Sequence, residues 1–102
     1  MLLSRGASPG LDLKSPLFIA VGECRADLAE PLLDAGADPN VASVRTGRTP
    51  LHEAAEGGQA RLVRMLLRFR ADAAAADAEG KRPIDLAREN GKEDIVEILQ
   101  HA

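Results

Sequence analysis

The chain has few of the residues that most often carry chemistry. Its 102 residues include no Trp, no Tyr, two Phe, two His and one Cys. A single cysteine, Cys24, excludes a disulfide within the chain, and the Cys–His spacings of metal sites are absent. A cysteine nucleophile would need a histidine beside it, and we expect His52 to serve the repeat described below. We therefore expect no enzyme activity, no cofactor and no bound metal.

Charge and hydropathy exclude further classes of partner. The net charge of −3 argues against a surface that binds nucleic acid or an anionic membrane. No apolar run approaches the ~20 residues of a transmembrane helix. The opening Met1-Leu2-Leu3 is too short for the apolar segment of a secretory signal. The expected location is the cytoplasm, the nucleus or both.

What the chain does contain is a repeat. GRTPLHEAAEGG at 47–58 is followed thirty-three residues later by GKRPIDLARENG at 80–91, and SPLFIAV at 15–21 begins another copy. The closing part recurs as LLDAGADPN at 32–40, as LLRFRADAA at 66–74 and as the remnant LLSRGASP at 2–9. A period of this size is typical of stacked units, none of which can bury its apolar face alone.

These segments resemble the ankyrin repeat, through TPLHEAA at 49–55, LDAGADPN at 33–40 and the spacing between them. The resemblance covers nearly the whole chain. It implies an all-α fold, an ankyrin-repeat solenoid of stacked helix-turn-helix units with β-hairpin-like fingers. The expected organisation is a single domain over 1–102, with a partial repeat (1–13), repeats at 14–46 and 47–79, and a C-terminal repeat (80–102) that ends after its outer helix.

Local features explain how the middle copy folds. Pro50 suits the first turn of a helix, because its missing N–H is not needed there, and Thr49 can cap that helix. The resemblance implies that His52 hydrogen-bonds back to the Thr49 segment. The first finger is one residue longer than the second, and it has Val44 where the second has Asp77. We therefore expect the first finger to be the more variable in shape.

Two departures from the repeat mark expected weak points. Arg70 stands where the sibling copies have glycine, after a helix end that usually needs a left-handed residue, at a cost of about 1 kcal/mol. Pro31 falls inside an outer helix. We expect it to bend that helix or to force a late start.

The outer helices also carry a charge pattern that only the alignment reveals. Arginines of the middle copy stand between acidic residues of the copies on either side. The interpretation we favour is a set of ion pairs between repeats, each adding about 0–1 kcal/mol, and the alternative is a basic docking stripe. The aligned groups are Arg61 with Asp27 and Asp94, Arg64 with Glu30 and Glu97, and Arg68 with Asp34.

The resemblance implies that fingers and inner helices line a concave side that binds a protein partner. The expected function is a non-catalytic adaptor or scaffold, with Arg45 and Arg48 as the strongest candidates for partner contact. The alternative is that both arginines only balance Glu53 and Glu56, and Leu86 can equally be explained by packing. The full set of candidates is Val44, Arg45, Arg48, Glu53, Glu56, Asp77, Glu79, Lys81, Leu86 and Glu89.

Three other interpretations remain open. The chain can be a small regulatory inhibitor of an enzyme such as a kinase, as short ankyrin arrays are in one family. It can be a fragment of a larger ankyrin-repeat protein such as a ubiquitin-ligase substrate receptor, or a scaffold with no natural partner. Leu2 and Leu3 resemble the stub of an outer helix. Self-association through this partial repeat is therefore a further expectation.

Overall fold

The computed structural model of the protein describes residues 16–102, and the expected partial repeat at 1–13 lies outside the described residues. Within the described range the chain forms six α-helices and no β-strand. The helices are α1 (Pro16–Gly22), α2 (Ala26–Asp34), α3 (Pro50–Glu56), α4 (Ala60–Arg68), α5 (Pro83–Glu89) and α6 (Glu93–Gln100).

The helices form two layers. Each inner helix (α1, α3, α5) begins at a proline, which fits the first turn because no helical hydrogen bond is lost there. Each inner helix packs against the outer helix that follows it. The three inner helices then pack in the order α1, α3, α5, and the outer helices in the order α2, α4, α6. This confirms the expected all-α solenoid.

The core lies between the two layers and is built mainly from leucine, alanine and valine. Alanine recurs at the same place in each inner helix, where a small side chain lets neighbouring helices approach closely. The fully buried larger residues come from all three repeats, so each repeat completes its core with its neighbours. They include Leu17, Val21, Leu51, Leu62, Val63, Leu66 and Ile95.

Two residues other than glycine adopt a left-handed backbone within residues 16–102. Arg70 has φ of 74°, which confirms the conformation expected at that helix end. Cys24 has φ of 60°, in the turn between α1 and α2 where Gly58 and Gly91 stand in the later repeats. A side chain in this region costs roughly 1 kcal/mol relative to glycine. The turn at Cys24 is therefore a further weak point beside Arg70. The alignment of Cys24 with two glycines indicates the same conformation.

Of the two effects expected of Pro31, a bend or a late start of the helix, the late start is wrong. α2 begins at Ala26 and has nine residues, the same length as α4, with Pro31 in its interior. The Arg25 carbonyl accepts the N–H groups of Leu28 (3.1 Å) and Ala29 (2.9 Å), so the first turn is formed before the proline is reached. Pro31 is exposed, where loss of one N–H is tolerated more easily than in the core.

The expected pairing across the outer helices is only partly correct. One ion pair does link successive repeats, but it joins Arg68 to Glu30 (3.3 Å) and not to Asp34. Arg61 and Arg64 form no ion pair with any residue from 16 to 102. The partner of Arg68 thus lies about one helical turn from the aligned residue, since Glu30 is four residues before Asp34.

Candidate functional site

The two fingers are closed by the same hydrogen bonds but differ in length. In the first, Ser43 N–H donates to the Arg48 carbonyl (2.9 Å), and in the second Asp77 N–H donates to the Lys81 carbonyl (2.9 Å). The structural equivalent of Asp77 is thus Ser43 and not Val44, which corrects the alignment made from the sequence. The extra residue of the first finger lies within 44–47, because the two closing pairs fix both ends of the turn.

The fingers also contact each other. The N–H of Ala78 donates to the carbonyl of Thr46 (2.8 Å). A Cβ at Gly47 would lie 2.9 Å from the Ala78 nitrogen, so only glycine allows the two turns to approach this closely. Gly47 also has φ of 71°. Both residues belong to the fingers that the sequence assigns to the binding side, but their contact uses backbone atoms, which leave no signal in side-chain type.

The base of each finger carries a cation that pairs with the inner helix behind it. The Nη2 of Arg48 lies 2.6 Å from Oε1 of Glu56, and its Nε lies 3.3 Å from Oε2 of Glu53. The Arg48 side chain is 22% exposed. Lys81, at the same place in the next repeat, lies 3.0 Å from Glu89. The bond to Glu89 raises the pKa of Lys81. These contacts support the alternative in which Arg48 balances the two glutamates.

His52 ties the middle inner helix to the second finger. Its Nδ1 accepts the backbone N–H of Thr49 (3.1 Å), so its Nε2 carries the hydrogen and donates to the Lys81 carbonyl (2.8 Å). The His52 side chain is fully buried. In the following repeat Asp85 replaces the histidine, and its carboxylate accepts the N–H of Arg82 (2.9 Å). That bond lowers the pKa of Asp85.

Asp77 shapes the turn of the second finger. Its Oδ1 accepts the backbone N–H groups of Glu79 (2.8 Å) and Lys81 (2.9 Å). Burial alone would raise the pKa of Asp77, but these N–H donors outweigh burial and hold the pKa below its usual value. In the first finger the Ser43 hydroxyl takes the same role, accepting the N–H of Arg45 (3.3 Å).

Asn40 joins the loops of successive repeats. Its side-chain oxygen accepts the N–H of Asp72 (2.6 Å), and its Nδ2 donates to the Arg70 carbonyl (3.3 Å). The loop that holds Arg70 in its left-handed conformation is thus bonded to the repeat before it. This contact therefore links two successive repeats.

The fingers and inner helices enclose a polar groove of about 330 Å³. It brings together most of the residues expected to bind a partner, and Val44 and Glu53 are the two candidates that do not line it. Its lining is Arg45, Thr46, Arg48, Glu56, Asp77, Ala78, Glu79, Lys81, Leu86 and Glu89.

The candidate residues differ sharply in their exposure and in the contacts that each already makes within the chain. Leu86 is only 5% exposed, which supports packing as its role. Arg48, Lys81 and Asp77 are held by the contacts described above. By contrast, Val44 is 76% exposed, and the Arg45 side chain forms no hydrogen bond or ion pair with residues 16–102. The tip of the first finger, Val44 and Arg45, is the freest part of the expected site.

The described part of the chain offers neither a metal site nor a membrane span. Residues 16–102 contain no cluster of three or more His, Cys, Asp or Glu side chains that could hold a metal ion. None of the helices in this range is both long and apolar enough to cross a membrane.

Comparison with known proteins identifies the repeat. The family model described as ankyrin repeats (3 copies) matches residues 17–102. The chain belongs to the ankyrin-repeat family. Its relatives include the ARF GTPase-activating protein Git of Drosophila melanogaster, 38% identical over 91 residues, which cover 89% of this chain and 12% of Git. The human neurogenic locus notch homolog protein 4 is 40% identical over 103 residues, covering 96% of this chain and 5% of that protein.

The similarity to these relatives is confined to a small part of each. The human ARF GTPase-activating protein GIT1 is 35% identical over 88 residues, and the match covers 86% of this chain but 12% of GIT1. Ankyrin repeats are a protein-interaction fold, generally without catalytic activity, and stacked repeats present extended binding surfaces. The chain is therefore a protein-interaction module.

Proposed function

We propose that this ankyrin-repeat chain is a non-catalytic adaptor or scaffold that binds a protein partner through its fingers and inner helices, with the tip of the first finger as the main contact. The observation that carries the proposal is the contrast between the base of the fingers and the tip of the first finger. Charged residues at the base of the fingers are held by partners in the chain, whereas Val44 and Arg45 have no such partner among residues 16–102.

The chemistry of the tip indicates what the partner offers. Val44 is apolar and Arg45 is cationic, and the two are neighbours in the chain. A complementary surface would place a carboxylate opposite Arg45 and an apolar side chain opposite Val44. Arginine is over-represented among residues that dominate binding energy, because its planar group pairs with a carboxylate through two hydrogen bonds.

The experiment compares two charge reversals on opposite faces of the stack. Arg45→Glu changes the finger tip, and Arg61→Glu makes the same change on outer helix α4, where Arg61 is also exposed and without an ion pair among residues 16–102. Proteins captured from a lysate by the unaltered chain should be lost with Arg45→Glu and retained with Arg61→Glu. Loss with Arg61→Glu alone would refute the finger tip as the contact.

Two finer expectations stay predictions. A cytoplasmic or nuclear location is tested by imaging the tagged chain in the source cell. Self-association through the partial repeat at 1–13 is tested by sedimentation across a range of concentrations, and a single monomeric species would contradict it.

The inhibitor alternative predicts that a captured enzyme loses activity when the chain is added, whereas an adaptor leaves the activity of its partner unchanged.

A further inference from the structure

Three arginines form a cluster on the exposed face of α4. Arg61, Arg64 and Arg68, the α4 cluster, lie three and four residues apart, so they share one face of the helix, and all three are exposed. Together with Glu30 of α2 and Met65 they line a cavity of about 310 Å³ between the two outer helices. The side chains of Arg61 and Arg64 form no hydrogen bond or ion pair with residues 16–102, so both can bind a ligand.

Two features of the α4 cluster are unfavourable for its own helix. Cations three or four residues apart on a helix repel each other. The first turns of α2 and α6 contain acidic residues, which suit the positive end of a helix, whereas the first turn of α4 contains Arg61 and no acid. Only Arg68, in the last turn, suits the helix dipole. An anion bound between the arginines would relieve both unfavourable effects.

Glu30 neutralises one of the three cations. Its Oε2 accepts a hydrogen bond from Nη2 of Arg68 (3.3 Å), and the Arg68 guanidinium carbon lies 5.8 Å from the centre of the Phe69 ring. These contacts hold Arg68 at one end of the cavity. Among residues 16–102, Glu30 is the only acidic residue that lines this cavity, so its lining keeps a net positive charge.

The surroundings of the α4 cluster favour a compact anion. The outer helices on either side carry carboxylates at the aligned positions, so a long acidic protein segment or a nucleic acid laid across them would meet like charge. Arg61 and Arg68 are about 11 Å apart along the helix, at about 1.5 Å per residue. An anion of that length can lie along α4 without crossing its neighbours. The flanking carboxylates are those of Asp27, Glu30 and Asp34 on α2 and of Asp94 and Glu97 on α6.

We propose that the α4 cluster binds a small soluble polyphosphate, a molecule with two or three adjacent phosphate groups. Arginine pairs with phosphate oxygens through two parallel hydrogen bonds, so Arg61 and Arg64 supply donors for adjacent phosphates. The cavity contains no finger residue, so this site is independent of the protein contact proposed for Val44 and Arg45.

Calorimetric titration with inorganic triphosphate, at constant ionic strength, measures the dissociation constant of the site. Arg64→Gln removes the central guanidinium of the cluster and should raise the dissociation constant at least about tenfold. The matched control is Arg45→Gln, which removes the same charge from an exposed arginine outside the cavity and should change the constant less than about twofold. Equal changes for the two variants, or no binding to the unaltered chain, would overturn the proposal. Circular dichroism checks that each variant stays helical.

A second pair of variants tests whether the anion lies beside Glu30. Glu30→Gln removes the carboxylate from the cavity and frees Arg68, so the dissociation constant should fall about fivefold. Glu79→Gln makes the same change in net charge on an exposed residue outside the cavity and should leave the constant within about twofold. An equal fall for both variants would attribute binding to net charge and would overturn the site.

Inositol lipids with two phosphates also carry closely spaced phosphate groups, and vesicles distinguish this source from a soluble one. The chain is sedimented with phosphatidylcholine vesicles that contain such a lipid, and with vesicles that do not. We expect no cosedimentation with either, because the acidic residues beside the α4 cluster would face an anionic surface. Cosedimentation with the lipid-bearing vesicles alone would overturn the soluble ligand and would assign the cluster to a membrane headgroup.

Discussion

The two fingers share one construction at the base and differ at the tip. At each base a cation that follows the turn glycine pairs with a glutamate at the end of the inner helix, Arg48 with Glu56 and Lys81 with Glu89. At the tip, the first finger has one more residue and exposes Val44 and Arg45. The second finger has a shorter turn that the Asp77 carboxylate closes.

From this difference we predict that stability and recognition are separated within one short segment. Charged side chains at the base have partners in the chain, so their replacement should reduce the free energy of unfolding. Side chains at the first tip have none among the described residues, so their replacement should change binding and leave stability alone. Substitutions at the base, at the tip and in the turns test that separation.

The largest effect is expected for His52→Ala. The imidazole is fully buried and bonds both Thr49 and the second finger, so its loss leaves a cavity and two unpaired backbone groups. We expect the free energy of unfolding to fall by about 3 kcal/mol in urea denaturation. The control is His101→Ala, since His101 is exposed at the chain end. Equal losses for the two variants would contradict the role of His52.

Gly47→Ala should have the next largest effect. The new Cβ would meet the Ala78 nitrogen at 2.9 Å, and the backbone there has φ of 71°. Gly80→Ala in the second finger is the control, because Gly80 has φ of 80° but no neighbouring atom within 4 Å of the Cβ that alanine would add. In urea denaturation we expect a loss of about 1 kcal/mol for Gly80→Ala from the backbone alone and roughly twice that for Gly47→Ala. Equal losses would show that the contact between the fingers is not tight.

A smaller loss is expected for Arg48→Met. The change removes the ion pairs with Glu53 and Glu56 but keeps most of the apolar stem, so the free energy of unfolding should fall by about 1 kcal/mol. High salt should reduce the difference from the unaltered chain. Arg45→Met should change the thermal midpoint little, because Arg45 has no side-chain partner among residues 16–102. A larger loss for Arg45→Met than for Arg48→Met would reverse the assignment of base and tip.

The smallest expected effect is on how stability depends on pH, which should differ between the two fingers. The pKa of Asp77 is lowered in the folded chain, so its contribution to stability is present above the ordinary aspartate pKa of about 4 and is lost as pH falls through the folded value. Asp77→Ser copies the first finger, where Ser43 does not titrate. Urea midpoints measured from pH 7 to pH 3 should therefore fall less steeply for Asp77→Ser. An unchanged slope would show that Asp77 contributes nothing to acid sensitivity.

The repeat and the helix starts could be predicted from the sequence because they depend on local patterns. Pro50 and Thr49 mark a helix start by backbone chemistry alone, and the replacement of glycine by Arg70 marks a left-handed residue. The candidate groove was also predictable in outline, since the repeat places its lining at fixed positions. Most of the candidate residues do meet there.

What could not be predicted depends on contacts between repeats. Arg68 pairs with Glu30 and not with Asp34, because the geometry of neighbouring helices decides which side chains meet. The contact between the two fingers uses backbone atoms. The position of the extra residue in the first finger became clear only from the closing hydrogen bonds. The repeat aligns Leu28 with Leu62 and Ile95, which are buried, whereas Leu28 itself is 44% exposed, and only the structure reveals this difference.

Photo-crosslinking from the tip of the first finger tests most directly whether a partner binds there. A photoreactive side chain replaces Val44 in one protein and Arg64, on the outer face of α4, in the other, and both residues are exposed. We expect a captured partner to crosslink through position 44 and not through position 64. Crosslinking through position 64 with none through position 44 would contradict it and would place binding on the outer helices.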